Sequence, residues 1–392
     1  MATPARVRSV DVLRGAAMVL MVLDHSRDFV HDAALRFDPS DLSQTDGATF
    51  FTRWITHIVA PIFVLLAGVG AALQLQRGVS RPQLARYLLV RGLILIVLEL
   101  TVVRVGIWFS VDPSFIGMLQ VIWVLGVSMI VLAALLFVPP VVVAVAAIAL
   151  IAGHNALDTW SPPSGFEWLW ALLHRGGVLQ LFGATRPNLL VLYPLLPWVG
   201  VMALGFVLGG VYRWEAPRRR TFLVRVGLAL IVGWLAVRFL NVYGDPTPWE
   251  TYPDAAKTVM SFLNAEKYPP SLVFLLMTLG PTLLLLGLLD GRRLESRVGR
   301  WLNVIGRAPL AFYLLQWYVA HALAVVAGLI AGKDVGYQFM AWPDHFIQAP
   351  PDAGFPLPVV YLVWVIAIAI LTPIVARYAA LRARRGGVLR YL

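Results

Sequence analysis

Cysteine is absent, which excludes disulfides, thiolate metal sites and a cysteine acyl carrier and leaves the redox character of the compartment open. Charge is scarce as well. Only 14% of the 392 residues are charged and 59% are apolar, at a mean hydropathy of +0.76, whereas a soluble globular domain carries more charge and less apolar surface. Lysine is the scarcest cation, with Lys257, Lys267 and Lys333 as its three occurrences. There is no Walker loop, no glycine-rich dinucleotide turn, no paired-histidine zinc motif and no nucleophile elbow. No internal repeat, low-complexity tract or linker divides the chain, so a single domain spanning residues 1–392 is expected.

Long apolar runs fill the space these absences leave. About 20 apolar residues cross the hydrocarbon layer as a helix, and ten segments reach or approach that length. They run over residues 9–30, 54–76, 86–108, 115–137, 139–153, 189–212, 221–241, 270–290, 302–331 and 356–380. The fifth is short and separated from the fourth only by Pro139 and Pro140, while the ninth is long enough to be tilted or broken. The fold expected is an all-α polytopic membrane protein of about ten transmembrane helices, or eleven, with a cytoplasmic N-terminus. Residues 9–30 are read as a retained helix, because a signal peptide would be shorter, free of Asp11 and Arg14, and followed by small residues at a cleavage site.

The net charge of +11 belongs to topology. The arginine clusters "ARVR", "RGVSRPQLAR", "RWEAPRRR", "DGRRLESRVGR" and "RARRGG" alternate with arginine-poor connections and fall on one side of a ten-helix chain, the cytoplasmic side. A nucleic-acid partner is not expected, since no polar domain gathers the basic residues. The opposite connections, 31–52, 154–188, 242–268 and 332–354, are longer, rich in Pro, Trp and Asp, and hold all three lysines. Trp54, Trp108, Trp160, Trp198, Trp249, Trp301 and Trp342 lie near segment ends, where indole suits the headgroup layer.

Within "MVLDHSRDFVHD" the first apolar segment turns abruptly titratable. His25 lies about 24 Å along that helix, and eleven residues separate it from Arg14, which is three turns plus about 20°, so the two share a face about 16 Å apart. Asp11, Arg14, Met18 and His25 form one stripe facing other helices. An ionisable group inside a membrane helix usually faces a cavity or a partner, which makes His25 a catalytic candidate; a hydrogen bond to a neighbouring helix is the bland alternative. Asp24 and Asp28 are placed to orient His25 or to pair with Arg27, and His31 lies at the water boundary. His57, one turn into the second segment, matches His25 in depth, and Pro61 removes the hydrogen bond to its carbonyl. Glu99 needs a partner at its depth, either Arg104, in a structural ion pair, or His25. The ninth segment supplies Asn303, Arg307, Tyr313, Gln316 and His321, of which Arg307 is an anion-binding candidate or a snorkelling arginine.

"RVRSVDVLRGAAMVLMVLDHSRDFV", "FFTRWITHIVAPIFVLLAGVGAAL", "LYPLLPWVGVMALGFVLGGVY" and "IGRAPLAFYLLQWYVAHAL" resemble, in the same order, the bacterial membrane proteins related to heparan-alpha-glucosaminide N-acetyltransferase. The likeness runs from residue 6 to about residue 325. More distantly, "VDVLRGAAMVLMVLDH" is similar to the first helix of acyltransferase family 3, with its arginine and histidine at this spacing. The resemblance implies a transmembrane acyltransferase that moves an acetyl group from cytoplasmic acetyl-CoA to an extracytoplasmic sugar or glycan amine or hydroxyl. It makes His25 the catalytic histidine, as general base or as an acetylated intermediate, and Arg14 part of the motif. Gln316 stands where many bacterial relatives carry histidine, which lowers the expectation of a role there.

The sites expected are therefore His25, Asp24, Asp28, His57 and Glu99 for catalysis and Asp11, Arg14 and Arg307 for the donor, with acetyl-CoA as acyl donor and no metal. The partners expected are membrane lipids and an extracytoplasmic glycan or small-molecule acceptor in the inner membrane, with a homodimer left open. A proton-coupled transporter using His25, Glu99 and Arg104 as a relay is the competing reading.

Overall fold

The computed structural model describes residues 7–186, 188–292 and 294–384, and parts of the basic clusters "ARVR", "DGRRLESRVGR" and "RARRGG" lie outside them. Each of the ten apolar segments contains a helix. α1 (Arg8–Val30) is followed by α2 (Gly47–Trp54), which passes through a 3₁₀ turn at Ile55–Ile58 into α3 (Val59–Gln76). α4 (Arg81–Leu98) continues through a π-helical turn at Glu99–Val103 into α5 (Arg104–Trp108). α6 (Val121–Leu135) and α7 (Pro140–Gly153) are separate helices, because Pro140 starts a helix well at its first turn and stops one elsewhere. A short α8 (Glu167–Trp170) precedes α9 (Leu195–Leu208), α10 (Ala216–Leu240), α11 (Ala255–Leu263) and α12 (Leu272–Leu289). The ninth segment is broken at Gly306–Ala308 into α13 (Arg297–Ile305) and α14 (Pro309–Ile330), and α15 (Asp344–Ile347) and α16 (Leu357–Arg384) complete the chain.

Seven of the described helices are long and apolar enough to cross a bilayer: Gly47–Gln76, Pro140–Leu157, Leu195–Arg213, Ala216–Leu240, Leu272–Leu289, Pro309–Ile330 and Leu357–Arg382. The chain is a helical membrane protein. α1 falls outside that set through its own charges, and α6, at 15 residues, through length. α10 and α16 show much of their apolar surface, including Val232, Phe239, Leu362 and Val365, as lipid-facing helices do.

An all-α expectation needs one amendment. Residues 117–119 and 189–191, read from hydropathy as helix, are strands β1 (Gly117–Leu119) and β3 (Leu189–Val191), paired in parallel, with β2 (Gly177–Leu179) antiparallel on the outer edge of β3. A short apolar run has no period of its own to separate strand from buried helix.

α1 is buried along its length, packed by α3, α13, α14 and α16. Its approach to α13 is backbone to backbone. A Cβ on Gly15 would collide with the Leu302 carbonyl, and one on Gly306 with the Asp11 carbonyl. That contact brings the Gly306 carbonyl within 3.3 Å of the Arg14 guanidinium, which donates to it and, at 3.2 Å, to Asp11. At the other end the 332–356 connection folds over α1, where the Val30 carbonyl accepts from Phe355 N–H at 2.7 Å and the Phe355 carbonyl from Asp32 N–H at 3.1 Å. Trp198, expected at the headgroup layer, is instead wholly buried.

Candidate active site

Two cavities lie end to end along α1. One, of about 670 Å³, opens near its N-terminus and is lined by Arg14 and Met18 together with Arg91, Arg307, Arg382 and Gln74. The other, of about 520 Å³, lies at its C-terminal end and holds His25, Asp24, Arg27 and Asp28. Phe63, Val121 and Tyr313 line both, so a single layer of side chains is their common wall. Arg14 and His25 thus face the same interior route from opposite ends, as their angular spacing on the helix requires.

His25 is fixed by α14. Its Nδ1 lies 2.8 Å from Gln316 Oε1, and its ring stacks on Trp317 at 3.6 Å between centroids and 19° between planes. With the amide oxygen accepting from Nδ1–H, the neutral ring keeps its lone pair on Nε2, the nitrogen left for a molecule bound in the cavity at the C-terminal end of α1, here termed the outer cavity as the other is termed the inner. The orienting group is therefore an amide, where a carboxylate from Asp24, Asp28 or Glu99 was expected. The position at which a role was discounted is the one that sets the tautomer. One signal was available, since an amide in the middle of an apolar helix needs a partner as surely as a charge does.

Asp24 is committed elsewhere. Arg53 Nη1 donates to both of its oxygens at 2.8 Å, and Arg27 Nη2 donates to Oδ1 at 3.1 Å and to Asp28 at 2.6 Å. Asp24 and Asp28 do line the outer cavity, as parts of an ion-pair network below the ring.

His57 does not line it. The 3₁₀ turn at Ile55–Ile58 advances three residues per turn, so Arg53 and Thr56 eclipse one another and both face the cavity. His57 is rotated away, buried with its ring 5.6 Å from that of Phe274 on α12. A regular helix through Pro61 would not have made that exchange.

Glu99 is likewise a structural group. It sits where α4 becomes π-helical, is 1% exposed, and its Oε2 accepts from the Trp123 N–H at 2.8 Å, in the first turn of α6. A carboxylate there satisfies an amide that the helix leaves without a partner. Arg104 turns outward and donates to the Asp112 carbonyl. Among the described residues no hydrogen bond or ion pair joins His25, Glu99 and Arg104, so the relay drawn for a transporter is not assembled. Asp11, expected to touch the donor, lies behind Arg14 and outside the cavity lining.

The connections complete the outer cavity with Tyr193, Lys267, Tyr268, Trp342 and His345, together with Trp108 at the end of α5. Burial pushes His345 down to about 4, so it is a neutral wall residue at ordinary pH. Burial by itself would raise Tyr268, but Lys267 and Arg53 beside its ring bring the phenol below its ordinary value. No group of three or more His, Asp or Glu side chains able to hold a metal occurs among the described residues.

The sequence model of the family described as heparan-alpha-glucosaminide N-acetyltransferase, catalytic, matches residues 6–243. No curated protein matches the chain. The matched stretch contains Arg14, His25, Asp24, Arg53 and Arg91; Lys267, Arg307, Gln316 and Trp317 come after it.

Proposed function

We infer the reaction from one premise: this chain belongs to the heparan-alpha-glucosaminide N-acetyltransferase catalytic family, and it is an acetyltransferase. The reading is transfer of an acetyl group from acetyl-CoA in the inner cavity to the amine or hydroxyl of a sugar or glycan in the outer one. The arginine-rich connections give the side: the Arg14 end faces the cytoplasm, the His25 end the exterior, and the protein resides in the inner membrane as a multi-pass enzyme. The supporting observation is the wall that the two cavities share at Phe63, Val121 and Tyr313.

The inner cavity is lined by four guanidiniums, from Arg14, Arg91, Arg307 and Arg382, and by no carboxylate. Phosphates are held well by such a set, because guanidinium stays charged and donates two hydrogen bonds at once. Coenzyme A supplies a polyanionic nucleotide and a thioester at the end of a long arm, so the nucleotide can remain among the arginines while the acyl carbon reaches the layer of Tyr313. On the far side His25 Nε2 takes the proton of the attacking amine or hydroxyl as the new C–N or C–O bond forms. The C–S bond breaks, and the imidazolium returns the proton to the departing sulfur, so charge balances within one turnover. Gln316 and Trp317 keep the ring in place throughout.

The test uses purified full-length protein, labelled acetyl-CoA and a panel of amino sugars. Acetyl transfer is expected to fall about 10²- to 10⁴-fold in His25→Ala, the range for losing a general base, with CoA binding unchanged. Absence of CoA binding in the wild type, or transfer unaffected by the substitution, overturns the reading.

A further inference from the structure

We propose that Lys267 forms an anion subsite in the outer cavity, so that the acceptor carries a negatively charged substituent, a carboxylate or a phosphate, beside the group that is acetylated. This deepens the acyltransfer reading and rests on it. Lys267 lies beyond the stretch that the family match covers.

The ammonium of Lys267, a residue 6% exposed that lines the cavity, is buried and makes no hydrogen bond among those described. The nearest carboxylate oxygen, Asp24 Oδ2, is 4.0 Å away, and the remaining neighbour is the face of Tyr268, with Nζ 5.0 Å from its centroid. A buried charge needs hydrogen bonds that a cation–π contact does not replace, and because Lys267 lines the cavity, a molecule bound there can supply them. Asp24 is held by closer partners, with Arg27 and Arg53 donating to it at 2.8–3.1 Å, and Lys267 at 4.0 Å stands beyond hydrogen-bond distance.

The surrounding charges leave the same surplus. Four cations line the cavity, Arg27, Arg36, Arg53 and Lys267, against three carboxylates, Asp24, Asp28 and Asp38. Arg27 and Arg53 are engaged by Asp24 and Asp28, Arg36 by the Pro351 carbonyl, and Asp38 by Ser40. Asp24 and Asp28 are thus shared by three cations, Arg27, Arg53 and Lys267, of which Lys267, 4.0 Å from Asp24, is the one with no hydrogen bond to either carboxylate, so an anionic group on the bound molecule has its place there.

The lysine is also held in advance. Its connection is pinned by Arg238, 1% exposed, whose guanidinium donates to the carbonyls of Ser261 at 2.8 Å, Phe262 at 2.9 Å, Asn264 at 2.8 Å and Thr247 at 3.1 Å. Glu266 on one side accepts from the Tyr268 N–H at 3.0 Å and donates its own N–H to Asp245 at 3.1 Å. An ammonium fixed before binding loses little entropy when its ligand arrives.

Three amino sugars separate the outcomes: glucosamine, muramic acid, which adds a carboxylate, and glucosamine 6-phosphate. In acetyl-transfer assays on the full chain, one of the two anionic sugars is expected to exceed glucosamine by about tenfold in kcat/KM, the worth of one charge-assisted contact. Which of them wins identifies carboxylate or phosphate. Lys267→Gln should bring that ratio to about one through KM, and Lys267→Arg should keep part of it, with CoA binding by Lys267→Gln reporting that the protein is folded. Glucosamine preferred over both, or a preference that survives Lys267→Gln, overturns the proposal. If no sugar is acetylated, equilibrium binding of the same three to the wild type and to His25→Ala decides it without chemistry: tighter binding of an anionic sugar that Lys267→Gln abolishes supports the subsite, and equal or absent binding removes it. Failure of CoA binding, by contrast, counts against acyl transfer and leaves the subsite to the binding arm.

Discussion

The two cavities are built from opposite electrostatics. The inner one presents four arginines with no carboxylate in its lining, whereas the outer one sets four cations against three carboxylates and surrounds them with Trp108, Trp317, Trp342, Tyr193 and Tyr268. A cluster of guanidiniums with no carboxylate in the lining suits a polyanion and gains its affinity from charge, which salt screens. An aromatic-rich cavity with one cation in excess suits a polar molecule bearing a single anionic group, held by ring faces and a few directed contacts. One helix serves both, and the wall between them is where the two kinds of chemistry would have to meet.

The comparison breaks most visibly in the outer network. Arg53→Met leaves Asp24 buried with Arg27 and the distant Lys267, and removing one partner of a buried pair costs ~3–5 kcal/mol. Denaturation of the detergent-solubilised protein should show that loss, while Arg91→Met in the inner cavity should leave stability within about 0.5 kcal/mol. Equal effects would mean that the cavities are not electrostatically distinct.

Catalysis sharpens the contrast at the next level. Gln316→Leu removes the acceptor at His25 Nδ1 and is expected to lower kcat about 10- to 100-fold at unchanged CoA affinity, with Gln316→His restoring part of it. Arg91→Met should do the reverse, weakening CoA binding several-fold in a manner that fades as salt rises. If Gln316→Leu acted through CoA affinity, the division of labour would fail.

The smallest effect is acid lability confined to the long connections. Burial holds His31, His174 and His345 below the ordinary histidine value of 6.5, with His345 at about 4. Their contribution is complete above about pH 6.5 and is lost as pH falls toward 4, because the unfolded chain then takes up protons that the folded one refuses. For His345 the loss is at most ~3 kcal/mol. Melting temperatures measured across that interval should decline, and His345→Asn should flatten the slope.

Much of the site was legible before any coordinates. Hydropathy located the seven described helices long and apolar enough to cross a bilayer, and a rotation of 100° per residue set Arg14 and His25 on one interior face. What escaped lay where the backbone departs from that rotation. The 3₁₀ turn put Thr56 in place of His57 beside Arg53, and the π-helical turn delivered Glu99 to the first turn of α6. Gln316 and Lys267 escaped for another reason, since nothing local shows that residues 291 and 242 positions beyond His25 would bond its ring or line its cavity.

By itself the sequence determined a helical membrane chain, the order of its segments and the face of the first helix that turns inward, all consequences of local period and of water's absence from the bilayer. The tertiary structure alone decided which groups touch His25, which carboxylates are already neutralised and where a positive charge is left over. Those depend on contacts between residues far apart in the chain, and a helical period carries no information about what stands opposite.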